Sequence, residues 1–270
     1  MKQIRILLNS LVVCAVAFAM VSTLTAETIQ VKAKVVRIKG SARYKVGNGP
    51  WQELKRDQLV GAGAIVETAS NSRVDLMLGE AENPRPALTI GTMLTYQPAY
   101  GQNMVRIWED SRMAIDTLTV TQTGADVVSE TELDLQAGHI FGSVKKMSAA
   151  SRYEVKIPNG VAGIRGTTYD INVDGVIKVL DGSIFLNYKD QHGNQASQVI
   201  MGLQMFDIRT GILSDLPPVD KIDMPKFLQQ LSAAMPLQVS YAINRTIVNN
   251  VQPQVPPTVP IIPPPVVSPF

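Results

Sequence analysis

The chain holds two histidines, His139 and His192, and each lies beside a glycine in a turn-like context, Gly138-His139 and His192-Gly193. A zinc centre draws three or four ligands from Cys, His and carboxylates. These two imidazoles are too distant in sequence to point to one shared site. Carboxylate pairs are the next candidates for chemistry. Glu109-Asp110, and Glu130, Glu132 and Asp134, could act as general acid and base. The second set alternates with Thr131, Leu133 and Leu135, which describes the wet face of an amphipathic strand. There is no Asp-x-Asp-x-Asp-Gly loop for calcium, no Gly-x-Ser-x-Gly elbow, no phosphate-binding loop and no dinucleotide fingerprint. Gly61-Ala62-Gly63 reads as a turn. Trp51 and Trp108 are candidate sugar platforms, but with aromatics at 6% of the chain core packing is the favoured role. The residue types therefore predict no catalytic residue, no metal and no cofactor.

The most distinctive stretch is Asn159-Gly160-Val161-Ala162-Gly163-Ile164-Arg165-Gly166-Thr167-Thr168-Tyr169-Asp170-Ile171, an apolar run interrupted by three glycines and an arginine. The glycines permit backbone angles or close approaches that other residues resist. Arg165 has no acid nearby in sequence. It is expected as a partly buried guanidinium satisfying loop carbonyls, and the functional alternative is a grip on an anionic ligand. Thr167 and Thr168 are expected to close a turn through their hydroxyls, since neither has a visible base.

The segments that must position these residues read almost throughout as short strands between turns. Residues 31–38, 42–46, 64–68, 73–78, 88–96, 104–108, 115–122 and 130–135 show strand patterning. Asp174-Gly175 marks a hairpin turn between 169–173 and 176–180, and Asp181-Gly182 separates that run from a further strand at 184–188. The fold class is all-β: one elongated domain of stacked short strands, solenoid-like or sandwich-like. After Pro217-Pro218 the composition changes. A helix is expected over 225–249, with Phe227, Leu228, Leu231, Ala234 and Met235 forming a stripe that docks on the β domain, and with Pro236 breaking or kinking it. Residues 251–270 are dominated by proline, which predicts a polyproline or disordered tail.

The first 26 residues read as a secretory signal, with Lys2 and Arg5 ahead of an apolar run from Ile6 to Val21 and cleavage near Ala26; a retained anchor is the alternative. The chain carries 25 Lys+Arg and 23 Asp+Glu, and the signal accounts for two of the cations, so 23 of each sign remain after cleavage. That neutrality gives no reason to expect nucleic acid or anionic lipid as a partner. The single cysteine, Cys14, lies in the signal. The exported chain would hold no disulfide, and its stability must come from burial. The organisation expected is therefore 1–26 signal peptide, 27–217 β domain, 218–250 helical segment and 251–270 tail.

Two ordered blocks resemble the FecR domain. The first runs from Ile38 to Tyr96 and contains Trp51-Gln52-Glu53-Leu54, the run from Leu59 to Thr68, and Ser72-Arg73-Val74-Asp75-Leu76. It departs from the family at Gly79-Glu80, where an Asp-Gly-Ser turn often stands. The second runs from Leu133 to Ile208. It contains Leu135-Gln136-Ala137-Gly138, the motif residues Gly163, Arg165, Gly166 and Thr167, then Asp181-Gly182-Ser183 and Met201-Gly202. The resemblance implies an extracytoplasmic all-β module, periplasmic or secreted, that recognises another protein of the envelope without transforming it. In the family's regulators this domain lies in the periplasm and receives a signal from an outer-membrane transporter, while a cytoplasmic region controls a sigma factor. Only Met1 to Arg5 precede the apolar run here, so anti-sigma activity is not carried over. An envelope or extracellular protein is the expected partner, a glycan such as peptidoglycan the alternative; nucleic acid, and the membrane after signal cleavage, are not expected.

Overall fold

A computed structural model describes residues 27–80, 103–123 and 126–234. The signal, the expected strand at 88–96, the helical continuation beyond 236 and the Pro-rich tail all lie outside the described residues. Contacts divide the chain into a compact unit over Met1–Pro236 and a second over Leu237–Phe270; the description here concerns the first.

The strands join into one large sheet that curls over so that two faces oppose each other. One face is built from β3 (Ala42–Val46), β4 (Gln52–Glu53), β6 (Ala64–Thr68), β9 (Arg112–Thr123), β10 (Asp126–Ala137) and β12 (Arg152–Ile157), with β1 (Glu27–Gln30) also paired to β9. β10 and β12 run parallel. The opposite face is built from β2 (Lys32–Lys39), β5 (Leu59–Val60), β7 (Arg73–Glu80), β8 (Asn103–Ile107) and β11 (His139–Ser143). β13 (Gly160–Asn172) and β14 (Val176–Lys189) are long enough to serve both faces. β15 (Gln195–Met201), β16 (Gln204–Asp207) and β17 (Ile212–Asp215) complete the sheet.

Period-two alternation explains why a core forms between the faces. On β7, Val74, Leu76 and Leu78 point inward, and on β8 Val105 and Ile107 do the same; Ile115, Leu133, Val155, Ala162 and Ile184 meet them from the other side. Of the two arrangements expected, this is the sandwich-like one. At its centre the Tyr153 and Tyr169 hydroxyls share a hydrogen bond of 3.0 Å. Burial raises both phenol pKa values, so the pair stays neutral.

Part of the outward side of the second face, Val36, Met77, Met104 and Phe141, is also apolar, and helix α1 (Pro218–Ser232) explains why. Phe227, Leu228, Leu231 and Ala234 pack onto Val36, Met77, Met104 and Phe141, forming a second cluster outside the sheet. The expected stripe thus docks on the β domain. The helix begins at Pro218, seven residues earlier than expected, because proline suits the first helical position, where its missing N–H costs nothing. Pro225 is accommodated inside the helix.

One expectation about strand boundaries is corrected. Thr167-Thr168 was expected in a turn, and Asp181-Gly182 between two strands. Both lie within strands, β13 and β14, which remain paired on either side of an irregular register from Arg165 to Tyr169. Glycine bends a strand without ending its ladder when the partner strand bends at the same level.

Candidate functional site

The bend in β13 and β14 is where the sheet turns from one face to the other. Gly160 to Gly163 pair with β12 on the first face, and Thr168 to Asn172 pair with β11 on the second. β14 divides in the same way: Val176 to Val179 pair with β16, and Ser183 to Lys189 with β15. Gly166 (φ 60°) and Gly182 (φ 89°) occupy the corner in left-handed backbone. A Cβ on Gly182 would lie 2.4 Å from the Gly166 carbonyl oxygen and 2.7 Å from Thr167 Oγ1. Thr167 is 1% exposed. Its hydroxyl accepts the Ser183 N–H at 3.1 Å and donates to the Ser183 carbonyl at 2.7 Å, with the Arg165 carbonyl at 3.0 Å. That hydroxyl joins the two strands where their ladder is irregular. Gly163 is different in kind: a Cβ there would make an ordinary 3.5 Å contact with the Phe185 carbonyl oxygen.

Arg165 stands against its expectation. Its neighbours Ile164 and Thr167 are buried, but Arg165 itself is exposed. Strand alternation sends its side chain outward, on the same surface as Ser183, its partner on β14. That surface continues across the hairpin. Phe185 pairs with Val199, and Ser183 with Met201. Phe185, Val199 and Met201 are 51%, 47% and 53% exposed. β15 carries this apolar row, and among the described residues its ladder is made with β14 alone. The motif therefore anchors a corner whose outer side presents apolar side chains, a guanidinium and a strand edge.

The other candidates are dispersed. Glu109 and Asp110 form an exposed turn in which Glu109 accepts the Asn71 N–H at 2.7 Å. Glu130 and Glu132 flank Arg152 on the outer surface of the first face, with Glu132 2.6 Å from the guanidinium and also 3.4 Å from Lys156, which binds Asp116 at 3.0 Å. Asp134 accepts a hydrogen bond from Gln136 at 2.9 Å. At strand rise, Glu130 is roughly 20 Å along β10 from the end beside the Glu109-Asp110 turn. His139 stacks on Trp108 with ring centroids 5.4 Å apart, and its pKa is lowered chiefly by burial and then by Lys178. His192 lies in the exposed turn before β15. Among the described residues no group of three or more His, Cys, Asp or Glu could hold a metal. Trp108 is edge-on to Phe227 at 4.9 Å, in the cluster under the helix. Trp51 is covered by cations, with Arg43 4.6 Å and Lys45 5.1 Å from its ring.

Sequence reasoning missed a buried charge pair. Arg106 on β8 and Asp75 on β7 are both 0% exposed under α1. Arg106 Nε donates to Asp75 Oδ1 at 2.7 Å, its Nη2 donates to Oδ2 at 3.0 Å, and its Nη1 reaches Gln230 of the helix at 3.2 Å. Lys178 and Asp220 form a second tie to the helix at 2.8 Å. Half-buried Asp170 lies nearby, pushed up to about 7 by burial, with Lys178 opposing and Asp220 adding to the shift. The signal for Arg106 was a lone charge between apolar residues in Met104-Val105-Arg106-Ile107, which reads equally as a wet strand face until a helix covers it.

No helix among the described residues is long and apolar enough to cross a membrane. No curated protein matches the chain. Two solved chains from Parabacteroides distasonis ATCC 8503, each described as a candidate anti-sigma factor, are similar to it at 10% and 8% identity. The first alignment covers 56% of this chain and 57% of the other at a TM-score of 0.35, and the second covers 70% and 59% at 0.27. The chain thus spans less than two thirds of either. Residues 99–185 match the family described as FecR protein, a span that contains β8 to β13 and β14 as far as Phe185; the block from Ile38 to Tyr96 lies outside it. Gly163, Arg165, Gly166 and Thr167 all fall within this FecR match.

Proposed function

We propose that this is an exported, non-enzymatic FecR-domain protein of the bacterial envelope that binds another protein along the outer surface of the β13–β14–β15 corner. The observation that carries this reading is the apolar row Phe185, Val199 and Met201 beside a strand edge. An added strand would pair with the outer backbone groups of β15, displacing the side-chain bonds from Gln198 to the Val199 carbonyl and from the Met201 N–H to Gln204, and the row would supply apolar contact, the usual division of labour in strand addition. Arg165 on the same surface would add polar selectivity. The FecR match supports a role related to signal transduction. The separation of the candidate carboxylates supports binding rather than catalysis. Trp108 under the helix and Trp51 under two cations favour a protein over a glycan as the ligand.

Site-specific photocrosslinking in intact cells tests the reading. A crosslinker at position 185 or 199 should trap a discrete protein adduct that is lost in a Met201→Asp background, whereas a crosslinker at exposed Lys55, on the far part of the chain, should not. Equal adducts from both places, or none from 185 and 199, would refute the assignment. Persistence of the adduct when residues 251–270 are deleted would separate this surface from the Pro-rich tail.

A further inference from the structure

The outer surface of β2, β7 and β8 holds more cations than it can neutralise. Arg37 pairs across the sheet with Asp75, and Lys39 with Arg73. Asp75 pairs in turn with Arg106, and Val74 with Ile107, so continuing that register sets Arg73 opposite Trp108. Arg37, Lys39, Arg73 and Arg106 thus share one side of three adjacent strands around a single carboxylate. Both oxygens of that carboxylate are engaged by Arg106. Arg37 makes a loose contact with it, 3.9 Å from Nε to Oδ2. Glu109, at the end of the same strand row, is bonded to the Asn71 backbone.

Two buried donors on this surface have no acceptor among the described residues: Arg73 Nε and Trp108 Nε1. A buried N–H left unbonded costs about 1–3 kcal/mol, and two such donors, one on β7 and one just past the end of β8, share a remedy. We propose that Arg37, Arg73 and Trp108 form a binding site for an oxyanion, the carboxylate or phosphate group of a ligand, at the margin of helix α1. A guanidinium presents a planar fork matched to such groups, and an indole N–H adds a directed donor. The Arg73 guanidinium is held below its ordinary pKa by burial and then by the Arg106 charge, the condition an incoming anion relieves. This site lies on a different surface from the β15 edge and does not depend on it.

Calorimetric titration of the purified exported chain with sodium phosphate and, separately, sodium acetate, against sodium chloride at matched ionic strength, tests the proposal. Saturable binding of either anion is expected, and whichever binds identifies the source. Arg73→Gln and, independently, the more exposed Arg37→Gln should each weaken it about tenfold, the loss of one charge-assisted hydrogen bond. Arg165→Gln should leave it unchanged. In a Trp51→Phe background the remaining indole, Trp108, should change its fluorescence as the anion binds. Absence of saturable heat for both anions, or binding of equal strength in the Arg73 and Arg37 variants, overturns the proposal.

Discussion

The α-carbon of Gly182 faces the carbonyl oxygen of Gly166 so closely that a methyl group on it would lie 2.4 Å away. The two glycines allow β13 and β14 to bend together, which lets one hairpin close the two faces around a common core. Gly182→Ala combines that clash with a left-handed backbone, because the residue has φ 89°. We expect a loss of at least about 3 kcal/mol, or failure to fold, since backbone strain and overpacking each cost of order 1–3 kcal/mol. Gly163→Ala, in the same motif, meets the Phe185 carbonyl at an ordinary 3.5 Å. Restricting the unfolded chain should then leave its stability unchanged or raised by up to about 1 kcal/mol. Urea denaturation of the two variants side by side checks the contrast; equal losses would show that the motif glycines are not distinguished by the corner.

Thr167 gives a second test at the same place. Its hydroxyl joins the Arg165-to-Thr168 irregularity to Ser183 of the opposite strand. Thr167→Val keeps the shape and leaves the Ser183 N–H and carbonyl without that partner in a site 1% exposed. A loss of about 1–3 kcal/mol is expected, and Thr167→Ser should recover most of it. If valine is as stable as threonine, the hydroxyl has no part in holding the corner.

The alternation of Arg73-Val74-Asp75-Leu76-Met77-Leu78 was enough to place β7 and its inward residues, because period two is a local property. It could not show that Asp75 is buried, since that depends on a helix about 140 residues later in the chain. The same holds for Arg165, whose side is set by the strand running through the motif rather than by the glycines around it. Asp181-Gly182 resembles a strand-ending turn from local sequence alone, and only the matching bend at Gly166 converts it into a corner. The apolar row on β14 and β15 was illegible for a related reason. Phe185 and Val199 each look like core residues, and their exposure follows from Leu186 and Ile200 taking the inward positions.

The Arg106–Asp75 pair predicts an asymmetric mutational response. Asp75→Asn leaves a buried guanidinium uncompensated, with Arg37 and Arg73 adding to its repulsion, and should cost about 3–5 kcal/mol. Replacing both partners with leucine removes both desolvation penalties. The double variant should be more stable than Asp75→Asn in urea denaturation, because an apolar pair of similar volume often substitutes for a buried ion pair at little cost. A double variant less stable than the single would mean that the pair contributes net stability to the docked helix.

Asp170 makes stability depend on pH in a direction opposite to that of most carboxylates. In the unfolded chain an aspartate titrates near 3.8, and here burial raises it to about 7. Between those values the folded protein retains a proton that the unfolded chain has released, so rising pH favours unfolding. The contribution is fully present below the lower value, declines through the interval and is gone above about 7. His139, whose pKa is lowered by burial, acts in the opposite sense as pH falls below its ordinary value, so the informative quantity is the difference between wild type and Asp170→Asn. Denaturation midpoints at pH 5, 6, 7 and 8 should show the asparagine variant gaining on wild type as pH rises. The gain should be largest at pH 8, where wild type must hold an ionised carboxylate beside Asp220. Lys178→Met should enlarge the effect by removing the cation that favours the charged form. Parallel pH profiles for wild type and Asp170→Asn would show that this carboxyl titrates normally and that the contact between α1 and β14 carries no proton linkage.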